Sequence, residues 1–144
     1  MFEQVSAPVK ATIARSADEA ARQGDRRIGT DHLLLGLLHE PDIAAAIGVD
    51  VERARTAAWN LDRAALAAIG IELGHMPPPS APVSAGHAST TSGLRATMAR
   101  AFALAKDEHS RKIEPRHLLQ AILEREPPDA AAVLLKAIGV QPSP

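Results

Sequence analysis

The chain of 144 residues contains no cysteine and no tyrosine, and only one tryptophan and two phenylalanines. Without thiols, disulfides, thiol catalysis and cysteine-held zinc are excluded, and a reducing cytoplasm is the expected compartment. With aromatics at 2%, the core must be built from Ala, Leu, Ile and Val. Such small side chains let helices approach closely, so a tightly packed helical core is expected. Neither sign of charge prevails. Sixteen basic and seventeen acidic residues leave a net charge of −1 with no basic stripe, which removes the electrostatic footprint of a nucleic-acid binder. No apolar run approaches the ~20 residues that span a bilayer. The start, MFEQVSAPVK, lacks the basic and apolar stretches of a signal peptide. No GxxxxGK phosphate loop and no GxSxG elbow occurs, so neither nucleotide hydrolysis nor a serine nucleophile has visible machinery. His32 and His117 occupy equivalent places, but Gly36 and Ala121 one turn on cannot complete a ligand pair. The expectation is a non-enzymatic chain with no metal and no cofactor.

What the chain does have is a duplication. Ile28 to Leu38 reads IGTDHLLLGLL, and Ile113 to Leu123, 85 positions later, reads IEPRHLLQAIL. Extended backwards without a gap, Val9, Ile13, Ala17 and Ala20 stand opposite Leu94, Met98, Phe102 and Ala105. Both copies later close on Ala-Ile-Gly-Val, at Ala46 and at Ala137. A repeat at a fixed period governs the architecture. Two similar halves packed together leave a groove and equivalent surface sites, which suits binding better than chemistry.

Helical periodicity runs through each copy. Val5, Val9, Ile13, Ala17 and Ala20 recur in steps of four and three and predict an apolar stripe on a first helix from Ser6 to Gln23. Ser6 is placed to cap it, Pro8 fits its first turn and Gly24 ends it. Thr30 is expected to cap a second helix, 31–39, with Asp31 in its first turn near the positive end of the dipole. Leu33, Leu34, Leu37 and Leu38 should face inward. Pro41 and Asp42 open a third helix that stops near Gly48, and Asp50 caps a fourth that carries Trp59. In the second copy, Leu94, Met98, Phe102 and Ala105 form the stripe, Pro115 opens the next helix, and Pro127, Pro128 and Asp129 precede a last helix, 130–138. No strand signal of alternating polarity appears. Residues 75–92, with Pro77, Pro78, Pro79 and Pro82 and a Ser/Thr cluster, predict a linker between a first repeat, 1–74, and a second, 93–144.

These residues resemble the N-terminal domain of the Clp unfoldases of the ClpC/ClpA type. Gly29 to Leu37, GTDHLLLGL, is similar to the family's GTEHLLLGL. The start MFEQVS resembles the MFERFT opening of actinobacterial members, and Gly86 to Arg95 aligns with their GHxxFTPRAK. The stretch after Glu40 is shorter than the family's GEGVAAKAL, and the AAA+ ATPase modules that follow the domain in an unfoldase are not in this chain. The expectation is either an excised domain or a standalone relative, the latter being favoured. The resemblance implies an all-α, single compact domain made of a pseudo-two-fold pair of four-helix repeats.

It also implies sites. In the family, a Glu of the GTEH motif holds the guanidinium of a phosphoarginine and a Thr at the start of the first helix helps with the phosphate. The corresponding residues are Asp31 and Ser6 in repeat one, and Arg116 and Thr91 in repeat two. A carboxylate accepts paired guanidinium N–H bonds and a helix start holds phosphate. Arg116 puts a cation where the anion belongs, so the second site is expected to reject that ligand. Ser6, Thr30 and Asp31 could equally serve as helix caps without any ligand. Cyclic peptide antibiotics sit between the repeats of actinobacterial relatives. The matching positions are Phe2, Thr90 in place of an aromatic, and Arg95 in place of a Lys. The expected function is docking of protein or peptide clients, of a Clp unfoldase or of its adaptors, as an adaptor or decoy in Clp-dependent proteolysis. The alternative is a sensor or sequestering protein for a small molecule or cyclic peptide held between the repeats.

Overall fold

A computed structural model describes residues 5–70 and 89–140. They form α1 (Ala7–Arg22), β1 (Arg27–Ile28), α2 (Thr30–Leu37), α3 (Pro41–Ile47), α4 (Val51–Ala68), β2 (Ser89–Thr90), α5 (Ser92–Asp107), α6 (Pro115–Leu123) and α7 (Ala130–Ala137). The chain is one all-α domain. Repeat one has four helices, and repeat two has three among the described residues. Phe2 and the four linker prolines lie outside the described residues. No described helix is long and apolar enough to cross a membrane.

The caps read from the sequence set most of the boundaries. Ser6 Oγ accepts the Val9 N–H (3.4 Å), Asp50 Oδ1 accepts that of Arg53 (2.8 Å), and Asp129 Oδ2 accepts those of Ala131 (3.1 Å) and Ala132 (3.3 Å). Each satisfies a first-turn donor that the helix itself cannot. Thr30 departs from expectation. Gly29 is the N-cap of α2, and Thr30 sits inside the helix with its hydroxyl turned to the other repeat. That hydroxyl donates to Asp129 Oδ2 (3.0 Å) and accepts the Ala131 N–H (3.0 Å).

α2 is the centre of the molecule. It packs against α1, α4, α5, α6 and α7, and Leu33, Leu34, Leu35, Leu37 and Leu38 are all buried. A helix apolar on every side can only be surrounded. Its approach to α1 is close: a Cβ on Gly36 would lie 2.5 Å from Ser16 Oγ and 2.7 Å from the Thr12 carbonyl oxygen. The buried face of α1 is therefore Val9, Thr12, Ser16, Glu19 and Ala20, and Ile13, expected inside, is 39% exposed. Phe102, also expected inside, is 37% exposed, while Leu94, Thr97, Ala101 and Ala105 are buried. Small and polar residues win these faces because only they permit the short helix–helix distance. Ser16 satisfies its hydroxyl on the Thr12 carbonyl (2.8 Å).

The absence of strands is the other correction. β1 and β2 pair in parallel, Arg27 with Ser89 and Ile28 with Thr90, and Val5 makes an isolated parallel bridge to Ile113. Pairings this short carry no alternation for a sequence pattern to reveal. They are also symmetric under the 85-residue shift. The Ser6 N–H donates to the Ile113 carbonyl (3.2 Å) and the Thr91 N–H to the Ile28 carbonyl (3.1 Å). Each repeat thus lends the residue before its first helix to the other repeat's segment before the second helix. Residues 89–92, expected in the linker, form β2, the Thr91 cap of α5 and its first residue.

Candidate functional site

The exchange of strands decides which residues meet. Because Thr91 is bonded to Ile28, the start of α5 from repeat two faces the start of α2 from repeat one. Between them lies a cleft of about 570 Å³ lined by Asp25, Arg27, Gly29, Asp31, Thr91 and Gly93 among others. Asp31 and Thr91 share this cleft, and Ser6 is not part of its lining. Ser6 sits instead at Ile113, three residues before Arg116. The pairing expected within repeat one, Asp31 with Ser6, gives way to Asp31 with Thr91 in one cleft, while Ser6 is bonded to the segment before α6.

Asp31 occupies the first turn of α2 with its side chain 25% exposed. Burial raises its carboxyl above its ordinary value, and Asp25 adds to this; His32 and the N–H groups of Asp31 and His32 pull the other way without prevailing. Such a carboxylate is poorly solvated, and a cation entering the cleft would relieve that cost. Gly29 makes room for it, since a Cβ there would lie 2.7 Å from Asp31 Oδ1. Across the cleft, Thr91 Oγ1 accepts the Leu94 N–H (3.1 Å). The first turn of α5 beside it has the partial positive charge of a helix start, which suits an anion, and Gly93 in that turn lies against Asp129 and Arg125, which a Cβ there would meet at 3.3 and 3.5 Å.

His32 is a positioning group. Its Nδ1 accepts the Gly29 N–H (2.9 Å), which fixes the neutral tautomer with the proton on Nε2, facing Asp25 (2.8 Å) and Gln23 (3.2 Å). Burial opposes charging of this ring, but Asp25 and Asp31 overcome it and its pKa is raised. A second proton would forfeit the Gly29 bond, because an imidazolium has no acceptor. Asp62, on α4, has a raised carboxyl, through burial and then the charges of Asp25 and Asp31. His117 repeats the arrangement, accepting the Glu114 N–H at Nδ1 (2.8 Å) with Nε2 against Glu108 (2.8 Å). Both imidazoles thus have Nδ1 occupied by a backbone N–H.

At the equivalent place in repeat two, Arg116 is 56% exposed and paired with Glu108. The guanidinium, with help from His117, holds the Glu108 carboxyl down at about 2. Of the remaining expected residues, Thr90 is half-buried in β2, and Arg95 folds back on it, Nη1 donating to the Thr90 carbonyl (2.5 Å). Trp59 is half-buried on α4. Thr30 and Asp129, which join Asp31 at the cleft, are expected from the sequence only as residues at helix starts, and Arg27, also at the cleft, carries no sequence signal. Their positions are set by the packing of one repeat on the other, which no local pattern encodes.

The profile of the Clp repeat (R) N-terminal domain matches residues 4–137. Among solved structures, the chain is similar to the N-terminal domain of the caseinolytic protease associated chaperone ClpD from Arabidopsis thaliana, with 21% identity and a TM-score of 0.77 over 98% of this chain and 88% of that one. It is also similar to a protein from a malarial protein secretion system, with 17% identity and a TM-score of 0.61 over 94% of this chain and 91% of that one. A search of curated proteins finds no match.

Proposed function

Since the chain belongs to the Clp repeat N-terminal domain family over residues 4–137, we propose that it is a non-enzymatic protein-docking module whose principal site is the cleft between α2 and α5. The observation that carries this reading is the facing of Asp31 and Thr91 across a cleft of about 570 Å³. One wall offers a poorly solvated carboxylate and the other the start of α5. Together they match a side chain that carries a cation and an anion a few ångströms apart, as phosphoarginine does. In repeat two Arg116, paired with Glu108, stands where repeat one has the Asp31 carboxylate, so one such site is assigned to the module. In this role it would act as an adaptor that brings tagged clients to a Clp unfoldase, or as a decoy that competes for them.

The test is a two-dimensional NMR titration with free phosphoarginine, using arginine plus phosphate as the control. Saturable shifts are expected at Gly29, Asp31, Thr91 and Gly93, and none around Ser6 and Arg116. Asp31→Ala should weaken binding by about 2 kcal/mol, roughly thirtyfold, through loss of a charge-assisted bond, with the amide spectrum of the core unchanged. No response at millimolar phosphoarginine, or equal affinity in Asp31→Ala, would overturn the assignment.

A further inference from the structure

A second cleft, of about 590 Å³, lies on repeat two between the end of α5 and the loop to α6. Its walls include Phe102, Lys106, His109, Arg111 and Lys112, with Ala105 and Ile113 at the apolar side. None of these residues lines the Asp31 cleft. Repeat one serves as an internal control. Shifted by 85 positions, Phe102 replaces Ala17, Lys106 replaces Ala21, His109 replaces Gly24 and Ser110 replaces Asp25, while Arg111 and Lys112 keep the charge of Arg26 and Arg27. The second copy has therefore gained an aromatic ring and a lysine at the cleft and replaced Asp25 by Ser110, while Asp107 and Glu108 stand where repeat one has Arg22 and Gln23.

The local acids do not neutralise the result. Glu108 is drawn away by Arg116 and His117, and Asp107 is exposed outside the lining. No ion pair to Lys106, His109, Arg111 or Lys112 forms among the described residues. His109 holds its side chain at a left-handed backbone position, φ 60°, where repeat one has Gly24 at φ 73°. Non-glycine residues are uncommon there. Phe102 stands 37% exposed beside these cations. In a chain of net charge −1, the fold has gathered three permanent cations and one histidine around a ring that the core does not enclose.

We propose that this cleft is a second peptide site, one that takes an acidic segment with carboxylates on either side of an apolar side chain. The apolar group would lie on Phe102, Ala105 and Ile113, and the carboxylates would meet Lys106, Arg111 and Lys112. Charge complementarity then supplies speed and selectivity of capture, and the ring supplies dry contact area. The proposal shares with the docking reading only that its occupant is a polypeptide, and it requires nothing of Asp31.

The test uses the full chain, ¹⁵N-labelled, titrated with the acetylated and amidated pentapeptide Glu-Asp-Leu-Asp-Glu. Saturable shifts are expected at Phe102, Lys106, His109, Arg111 and Lys112, with the Asp31 cleft silent. The affinity should fall about tenfold between ~0.05 and ~0.5 M salt, as screening shortens the reach of the cations. Combined Lys106→Glu, Arg111→Glu and Lys112→Glu should abolish binding, and Phe102→Ala should weaken it about fivefold; both changes lie on exposed positions and should leave the core amide signals in place. Lys-Lys-Leu-Lys-Lys should not bind. No saturable shift at millimolar peptide, or binding that survives the triple reversal, overturns the proposal. Tighter binding of inorganic tripolyphosphate or an oligonucleotide, indifferent to Phe102→Ala, also overturns it, by assigning a general polyanion surface. Phosphoarginine is titrated in parallel: silence at Asp31 with a response at Phe102 sinks the first reading alone, and the reverse sinks this one alone.

Discussion

Where the first repeat buries Glu19 at 2% exposure, the second places Leu104, and where the first sets Asp31 at the start of its second helix, the second sets Arg116. The backbone plan around these differences is conserved between the copies. Ser6 and Thr91 cap their helices alike, His32 and His117 accept the same amide, and the strand exchange is reciprocal. The residues that repeat are thus the ones that hold the frame. Among those that diverge, some anchor an element present in one copy and others face a cleft. Glu19 belongs to the first kind. It meets Arg55 of α4 at 2.9 and 3.1 Å from Nε and His39 at 3.1 Å, and repeat two shows no fourth helix to anchor among the described residues. Asp31 and Phe102 belong to the second.

The largest expected break in this comparison comes from equalising the helix contacts. Gly36→Ala should cost about 3 kcal/mol, because the new methyl meets the Thr12 carbonyl and Ser16. Calorimetry should find the melting midpoint roughly 8 °C lower. The converse change, Ala121→Gly, removes no clash and should cost only about 1 kcal/mol of helix propensity. Equal losses would mean that the two contacts are no different in spacing.

Next is the buried ion pair. Burial alone would raise the Glu19 carboxyl, but Arg55 and His39 bring it below the ordinary value. Arg55→Ala leaves that carboxylate with only His39 and should cost about 2 kcal/mol in urea titration, less than a fully buried pair because Arg55 keeps 24% of its side chain in solvent. The double change Glu19→Leu with Arg55→Met copies the apolar choice of repeat two and should stay within about 1 kcal/mol of the parent. A double variant as unstable as Arg55→Ala would show that the charge itself is required.

The smallest effect is in acid, and its sign differs between the copies. In repeat one, Asp31 and Asp62 have raised carboxyls. Their contribution is full below the unfolded value of 3.8 and is lost as the pH rises through the folded value. In repeat two, the Glu108 carboxyl is lowered to about 2 from 4.5, so its contribution is present above 4.5 and is lost as the pH falls towards 2. Carboxyl NMR during an acid titration should show Asp31 titrating before Glu108 as the pH is lowered. Arg116→Gln should return Glu108 towards 4.5 and leave Asp31 where it was. The opposite order of titration would refute the placement of both charges.

Much of the frame was legible because helix ends are written locally. Ser6, Asp50, Gly48 and Gly139 mark boundaries through single hydrogen bonds or a single positive φ. The faces were less legible. An apolar stripe placed Ile13 and Phe102 inside, whereas Thr12, Ser16 and Glu19, themselves spaced by four and three, line the contact. Helix separation, not hydrophobicity alone, chose that face. The grouping of site residues was illegible for a different reason. Asp31 and Thr91 are 60 positions apart, and a pairing of two residues brings them together. Likewise Lys106 joins Arg111 and Lys112 only because α5 ends between them.

The reciprocal bonds of Ser6 to Ile113 and Thr91 to Ile28 also bear on ancestry. A single unit of this kind could satisfy the same donors and acceptors only by meeting a copy of itself about a two-fold axis, each molecule completing its neighbour, as isologous dimers do. Joining the two genes end to end would make that assembly independent of concentration. It would also release the two copies from identity, so that a surface once forced to be the same on both sides could acquire an acid on one and cations on the other.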